Sequence, residues 1–111
     1  MTSRREILEA AIAATDDRGI DYGTPADNFA RIARRWRAHL MNRFGVDVPI
    51  DGVSVAIMCD DIKSARLEHD PAHSDSWIDK AGYSACGAEI ALSNQAASPG
   101  GGGGREVASQ D

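Results

Sequence analysis

Residues 60–66 read DDIKSAR and residues 75–83 read DSWIDKAGY. Each stretch carries acidic and basic side chains three or four positions apart, the spacing that places them on one side of a helix. A short polar segment that contains Pro71 separates the two stretches. They therefore predict two helices joined by a short loop, with charged residues on helices that must also contribute to a core.

Start and stop signals predict two more helices before this pair. Ser3 and Glu6 form an S-x-x-E capping box for a first helix, which Asp16, Asp17 and Gly19 are expected to end. Thr24 followed by proline begins a second helix, and Gly45 closes it. The second helix has an amphipathic stripe at helical spacing, formed by Phe29, Ile32, Ala33, Trp36 and Leu40.

The later helices are predicted from the same kinds of signal. Asp51 caps a third helix that ends near Glu68, and Ser74 or Ser76 caps a fourth. The residues expected to face inward are Val55, Met58, Cys59 and Ile62 on the third helix, and Ile78, Ala81, Gly82, Ala85 and Ile90 on the fourth. Gly82 and Gly87 are costly inside a helix, so they indicate close approach of another helix.

Four helices with short connections and no convincing strand predict an all-α, four-helix bundle-like domain over residues 3–93. Residues 94–111 contain five consecutive glycines and are expected to form a disordered, flexible tail. A domain of this size buries a modest share of its surface, roughly 60–65%. We therefore expect a homo-oligomer.

Composition narrows the class of function. The 111 residues include 17 acidic and 12 basic side chains, and the net charge of −5 makes nucleic acid an unlikely partner. No segment approaches the ~18 apolar residues of a membrane span, and the N-terminus does not resemble a signal peptide. The sequence predicts a cytoplasmic protein. Cys59 and Cys86 fit reduced, buried thiols, and the sequence leaves a disulfide between them open.

Candidate site residues lie on the two charged helices. Lys63 and Arg66 share a side of the third helix, as Asp75, Asp79 and Tyr83 do on the fourth. If these sides face each other, the basic pair can hold a phosphate and the aspartates can hold Mg²⁺. The alternative is an interhelical salt bridge from Asp79 to Lys63 or Arg66 that needs no ligand.

Aromatic and amide side chains extend the list of candidates. Trp77 is suited to stack on a base or to lie at a subunit interface, and Tyr83 is a candidate ligand contact or a packing residue. Tyr22 and Asn28 flank Gly23, where the backbone can approach a ligand next to a helix N-terminus. The alternative there is an ordinary turn in which Asn28 caps locally.

Several of these motifs occur together in a recognisable order. Residues 21–25 read DYGTP, Asn28 and Phe29 follow, and KSARL at 63–67 precedes the 75–83 stretch. The combination resembles a small, uncharacterised domain family of phages and prophages and covers most of residues 4–93. That family is distantly similar to MazG-like all-α nucleoside triphosphate pyrophosphohydrolases, which bind Mg²⁺ through an E-E-x-x-E helix and an E-x-x-D helix.

The resemblance implies that Asp75 and Asp79 stand on the second magnesium-binding helix. It also implies that the protein lies in the cytoplasm of the host cell if a phage encodes it. The spacing here is D-x-x-x-D, and Asp60, Asp61 and Lys63 replace the glutamate triad. We expect a phage-type protein that binds a nucleotide or modified nucleotide; the sequence leaves open whether it hydrolyses it with Mg²⁺. The alternatives are a non-enzymatic nucleotide sponge and an oligomeric interaction protein with no small-molecule ligand.

Overall fold

Residues 2–97 of the chain fold into four helices. A computed structural model describes residues 2–97, except for the side chains of residues 17–22, 96 and 97. The helices are α1 (Arg4–Tyr22), α2 (Pro25–Phe44), α3 (Gly52–His69) and α4 (Ser74–Ala97). No strand occurs in residues 2–97, so the predicted all-α fold is confirmed. The predicted glycine-rich tail lies beyond residue 97, outside the described residues.

The predicted caps form with the expected geometry. Ser3 and Glu6 make both hydrogen bonds of the capping box at the start of α1. The Thr24 hydroxyl accepts a hydrogen bond from a first-turn amide of α2, and the Asp51 carboxylate does the same for α3. Gly45 ends α2 in the left-handed conformation, with φ +70°. These ends are local features, which is why the sequence predicts them well.

The predicted end of the first helix is wrong, and so is the Ser76 alternative for the start of the fourth. The first helix continues past Gly19 to Tyr22 and ends at Gly23, whose φ is +82°. A single glycine inside a helix costs only about 1 kcal/mol, so Gly19 does not force an end. The fourth helix begins at Ser74, and Ser76 lies inside its first turn with no exposed surface.

The core forms where α2, α3 and α4 meet. Its buried members are Phe29 and Ala33 from α2, Val55 and Ala56 from α3, and Ile90 from α4. Ile32, Trp36, Cys59 and Tyr83 are among the partly buried side chains packed against it. The predicted inward stripe of α2 is therefore confirmed at Phe29, Ile32, Ala33 and Trp36, and its last residue, Leu40, is half-buried.

The predicted inward face of α3 is wrong at two positions. Val55 is fully buried, but Met58 and Ile62 are 42% and 59% exposed. Apolar side chains lie all around α3, so their spacing alone does not show which side meets the neighbouring helices. On α4 the prediction also fails at Ala85, which is exposed.

The α2–α3 connection runs back along α2 rather than turning tightly. Arg37, near the middle of α2, forms an ion pair with Asp47 of this connection. A Cβ atom placed on Gly52, the first residue of α3, would lie 3.5 Å from the Cβ of Phe29. The third helix therefore starts beside the N-terminal half of α2.

The tightest helix contact joins α3 to α4. A Cβ atom placed on Gly87 would lie only 2.8 Å from the Cβ of Ala56, which confirms the close approach predicted at this glycine. The other predicted glycine, Gly82, faces Thr15 of α1 at an ordinary 3.5 Å. Helix α4 thus lies between α1 and α3. Within residues 2–97, no helix is both long and apolar enough to cross a membrane.

Candidate functional site between α3 and α4

Five polar side chains of α3 and α4 meet at a partly exposed place between the two helices. We call them the charged cluster (Asp60, Lys63, Ser64, Asp79 and Lys80). The ammonium group of Lys63 lies 3.0 Å from a carboxylate oxygen of Asp79. The ammonium group of Lys80 lies 2.9 Å from an Asp60 carboxylate oxygen and donates a hydrogen bond of 2.6 Å to the Ser64 hydroxyl. The cluster therefore contains two ion pairs.

The two ion pairs run in opposite directions between the helices. In one, α3 supplies the lysine and α4 the aspartate; in the other, the roles are reversed. The four charged side chains are between 19% and 31% exposed, so they are partly withdrawn from water and still accessible. The ordered pairs cost desolvation energy that surface pairs avoid. They also hold four charged groups in fixed positions.

A groove lies beside the charged cluster, between α3 and α4. Its volume is about 320 Å³, and small residues such as Ala56, Gly87 and Ala88 line it. Asp60 and Tyr83 also line it. Asp60 therefore belongs to both the cluster and the groove, which joins an apolar surface to a charged one.

The structure brings together some of the predicted charged residues. Lys63 and Asp79 are in contact, and they form the interhelical salt bridge that the sequence offered as the alternative to a ligand site. Asp75 is exposed one turn before Asp79, on the same side of α4. Arg66 is exposed, and it takes part in neither ion pair of the cluster.

The predicted aromatic and amide candidates are spread over α1, α2 and α4. Tyr83 is half-buried, its ring 6.2 Å from that of Phe29 between centroids. Trp77 is 46% exposed, and its indole nitrogen donates a hydrogen bond to the loop carbonyl of Pro71. Asn28 is half-buried in the first turn of α2. The side chain of Tyr22 lies outside the described residues.

Sequence reasoning missed Lys80 and Ser64. Both lie within the quoted stretches, but their partners depend on how α3 and α4 are aligned. It also missed a pair at the start of α4, where His73 Nδ1 lies 2.8 Å from the hydroxyl of the buried Ser76. His73 and Ser76 are three positions apart at the start of a helix, and this spacing could have predicted their contact.

The described part of the chain is thus an all-α domain with a charged cluster between α3 and α4. It belongs to the DUF6378 family, a domain of unknown function whose family pattern matches residues 6–91. That range includes the whole charged cluster. No curated protein and no solved structure matches the chain significantly. An uncharacterised domain family is therefore confirmed, while the phage and MazG-like relationships remain proposals.

Proposed function

We propose that the charged cluster and the adjoining groove bind a nucleotide or modified nucleotide. The observation that carries the proposal is the arrangement of two lysines and two aspartates, alternating in sign and partly buried, beside a groove with small apolar residues. A nucleotide has the matching two parts, a charged phosphate group and a flat base. Binding sites for small molecules typically combine a mainly apolar lining with a few fixed polar groups.

The lysines supply the phosphate contacts in this proposal. Lys63 and Lys80 are held by carboxylates at 3.0 and 2.9 Å, and phosphate oxygens can replace those carboxylates as acceptors. A ligand phosphate accompanied by Mg²⁺ carries both signs of charge. It can therefore satisfy the lysines and the released aspartates together, which a bare phosphate cannot.

Magnesium would be held by Asp79 together with Asp75, one turn earlier on α4. Within residues 2–97, no group of three or more His, Cys, Asp or Glu is placed to hold a metal ion. Two carboxylates at this spacing still fit Mg²⁺, because this ion commonly takes one or two carboxylates and completes its shell with water and ligand phosphates. The bound ion would supply neutralisation of phosphate charge.

The groove is suited to the base. The volume of about 320 Å³ lies at the lower end of the range typical of small-molecule sites. Small side chains leave flat surface for a ring, and Tyr83 lies along the same groove. Trp77 is not among the residues that line it, so we assign base contact to the groove.

The resemblance to MazG-like enzymes extends the proposal in two directions. In the hydrolytic form, a phage-type enzyme would convert a nucleoside triphosphate to the monophosphate and pyrophosphate, and Asp79 would be required. In the binding form, the protein would retain the nucleotide unchanged, as a sponge does. In both forms the protein would meet its nucleotide in the cytoplasm, so the proposal implies a cytoplasmic location.

The test is incubation of the full chain with a mixed nucleotide pool and Mg²⁺, followed by chromatography of the filtrate and of the protein-retained fraction. A retained nucleotide supports binding, and a new monophosphate supports hydrolysis. Lys63→Ala should weaken retention by about tenfold or more. The matched control is Arg34→Ala, which removes an exposed cation from α2 and should change nothing.

The competing interpretation is that the ion pairs only fasten α3 to α4. It predicts that Lys63→Ala and Asp79→Asn each lower the unfolding temperature, and that the double variant is little worse than either single one. It also predicts that the whole pool passes through unretained. That combination of results would contradict nucleotide binding for the compounds in the pool.

A further inference from the structure

The outer face of α3 carries an exposed stripe that no other helix covers within residues 2–97. Met58, Ile62, Ala65 and His69 follow each other at steps of four, three and four residues. All four are exposed, and Met58 and Ile62 are 42% and 59% exposed. This alternation is the spacing of the contact positions in a two-helix coiled coil.

Two opposite charges flank this stripe. Asp61 lies on one side of it and Arg66 on the other, and both are exposed. No ion pair of either residue occurs within the part of the chain that the structure describes. Flanking positions of this kind form ion pairs between neighbouring helices in coiled coils and set their orientation.

We propose that the stripe is a self-association surface that packs against α3 of a second copy, with the two helices parallel about a two-fold axis. In a parallel pair, a residue that flanks one side of the stripe lies near a residue of the partner helix that flanks the other side, about one and a half turns further along the sequence. Asp61 of each copy then faces Arg66 of the other, so the ion pair forms twice.

The charges also disfavour the antiparallel alternative. A two-fold axis perpendicular to the helices that crosses the stripe between Asp61 and Arg66 would bring equivalent flanks together, so Asp61 would lie near Asp61 of the second copy. Arg66 would likewise lie near Arg66. Like charges at such positions destabilise the pairing. Charge complementarity therefore selects a second copy in one orientation.

The small core makes the association reasonable. The buried apolar residues include three alanines, whereas eleven large apolar side chains of the described residues are exposed, among them Met58 and Ile62 of the stripe. The stripe runs from Met58 to His69, a rise of about 17 Å along the helix. A contact of this length is small, so the dimer should form in a concentration-dependent way. Lys63 points toward α4, which leaves the charged cluster separate from this surface.

The test is sedimentation equilibrium of the full chain from micromolar to millimolar concentration. We expect a monomer–dimer equilibrium that Ile62→Asp weakens by at least about a hundredfold, because a charge would enter an apolar contact. The matched control is Ile12→Asp, at a 62% exposed site on α1, which should leave the equilibrium unchanged.

Charge reversal tests the orientation. Asp61→Arg and Arg66→Asp should each weaken the dimer by about tenfold, since each turns two attractive contacts into repulsive ones. The double reversal should restore the wild-type affinity to within about threefold. Circular dichroism checks that each variant is folded. A wild-type chain that stays monomeric, equal effects at Ile62 and Ile12, or a double reversal no tighter than the single ones would each overturn the proposal.

Discussion

Replacement of Gly87 by alanine tests the contact that brings α3 and α4 together. The new Cβ atom would lie 2.8 Å from the Cβ of Ala56, well inside the usual contact distance. The Ala56 methyl group is fixed to the backbone and has no rotamer that would move it away. The two helices must therefore separate slightly, at a point beside the groove and one turn from Asp60.

The magnitude is a balance of two effects. Alanine is favoured over glycine in a helix interior by about 1 kcal/mol. Overpacking of a well-packed contact costs about 1–3 kcal/mol. The clash should win, and we expect a net destabilisation of about 1 kcal/mol, which corresponds to about 4–8 °C in Tm for a domain of this size.

Gly82 on the same helix provides a matched control. A Cβ atom there would lie 3.5 Å from the Cγ2 atom of Thr15, an ordinary contact. Gly82→Ala should therefore keep the helix-propensity gain and stabilise the domain by up to about 1 kcal/mol. The two substitutions have the same chemistry and opposite expected signs. Urea unfolding followed by circular dichroism measures both.

A double-mutant cycle identifies the cause. Ala56→Gly removes the methyl group that Gly87→Ala would meet, so the two changes together should cost less than the sum of the single changes. The reasoning is refuted if Gly87→Ala is as stable as Gly82→Ala. It is also refuted if the cycle shows no coupling, because the cost would then have another origin.

Substitutions at three further sites address local interactions. Asp51→Ala should lower the free energy of unfolding by about 1 kcal/mol because α3 loses its N-cap, and Asp51→Ser should recover most of it in the same urea assay. The hydrogen bonds from Arg37 lower the pKa of Asp47, so this pair stabilises the fold above the unfolded pKa and loses its contribution as pH falls through the lower folded pKa. Urea unfolding at a series of acidic pH values should show a smaller loss of stability for Asp47→Asn than for wild type. Ser76→Ala should cost about 1 kcal/mol, since it removes the buried hydroxyl bonded to His73; an unchanged unfolding midpoint would contradict that assignment.

The sequence predicts helix ends well where the signal is local. The caps at Ser3, Thr24 and Asp51 need only a side chain and an amide three residues away, and all three form as predicted. The end of α1 was wrong because Gly19 is a tolerable cost rather than a stop. Local chemistry thus fixes where a helix can begin more firmly than where it must end.

The orientation of α3 could not be predicted in the same way. Its apolar side chains surround the helix, and the side that becomes buried depends on where α2 and α4 pack. Met58 and Ile62 fit the predicted inward set by spacing but lie outside. The same spacing makes them part of the proposed self-association stripe. In that proposal they meet α3 of a second copy rather than a neighbouring helix of the same chain.

The charged cluster depends on the alignment of α3 with α4, and this alignment is set by packing. From the contact between Ala56 and Gly87, one turn forward on α3 reaches Asp60 and one turn back on α4 reaches Tyr83. One further turn on each helix reaches the lysines of the cluster. A shift of one turn between the helices would separate both ion pairs. It would also move Ala56 away from Gly87, where the absence of a Cβ atom allows the close contact. The predicted pair Lys63–Asp79 and the missed pair Asp60–Lys80 therefore have one cause, a helix alignment that no short stretch of sequence contains.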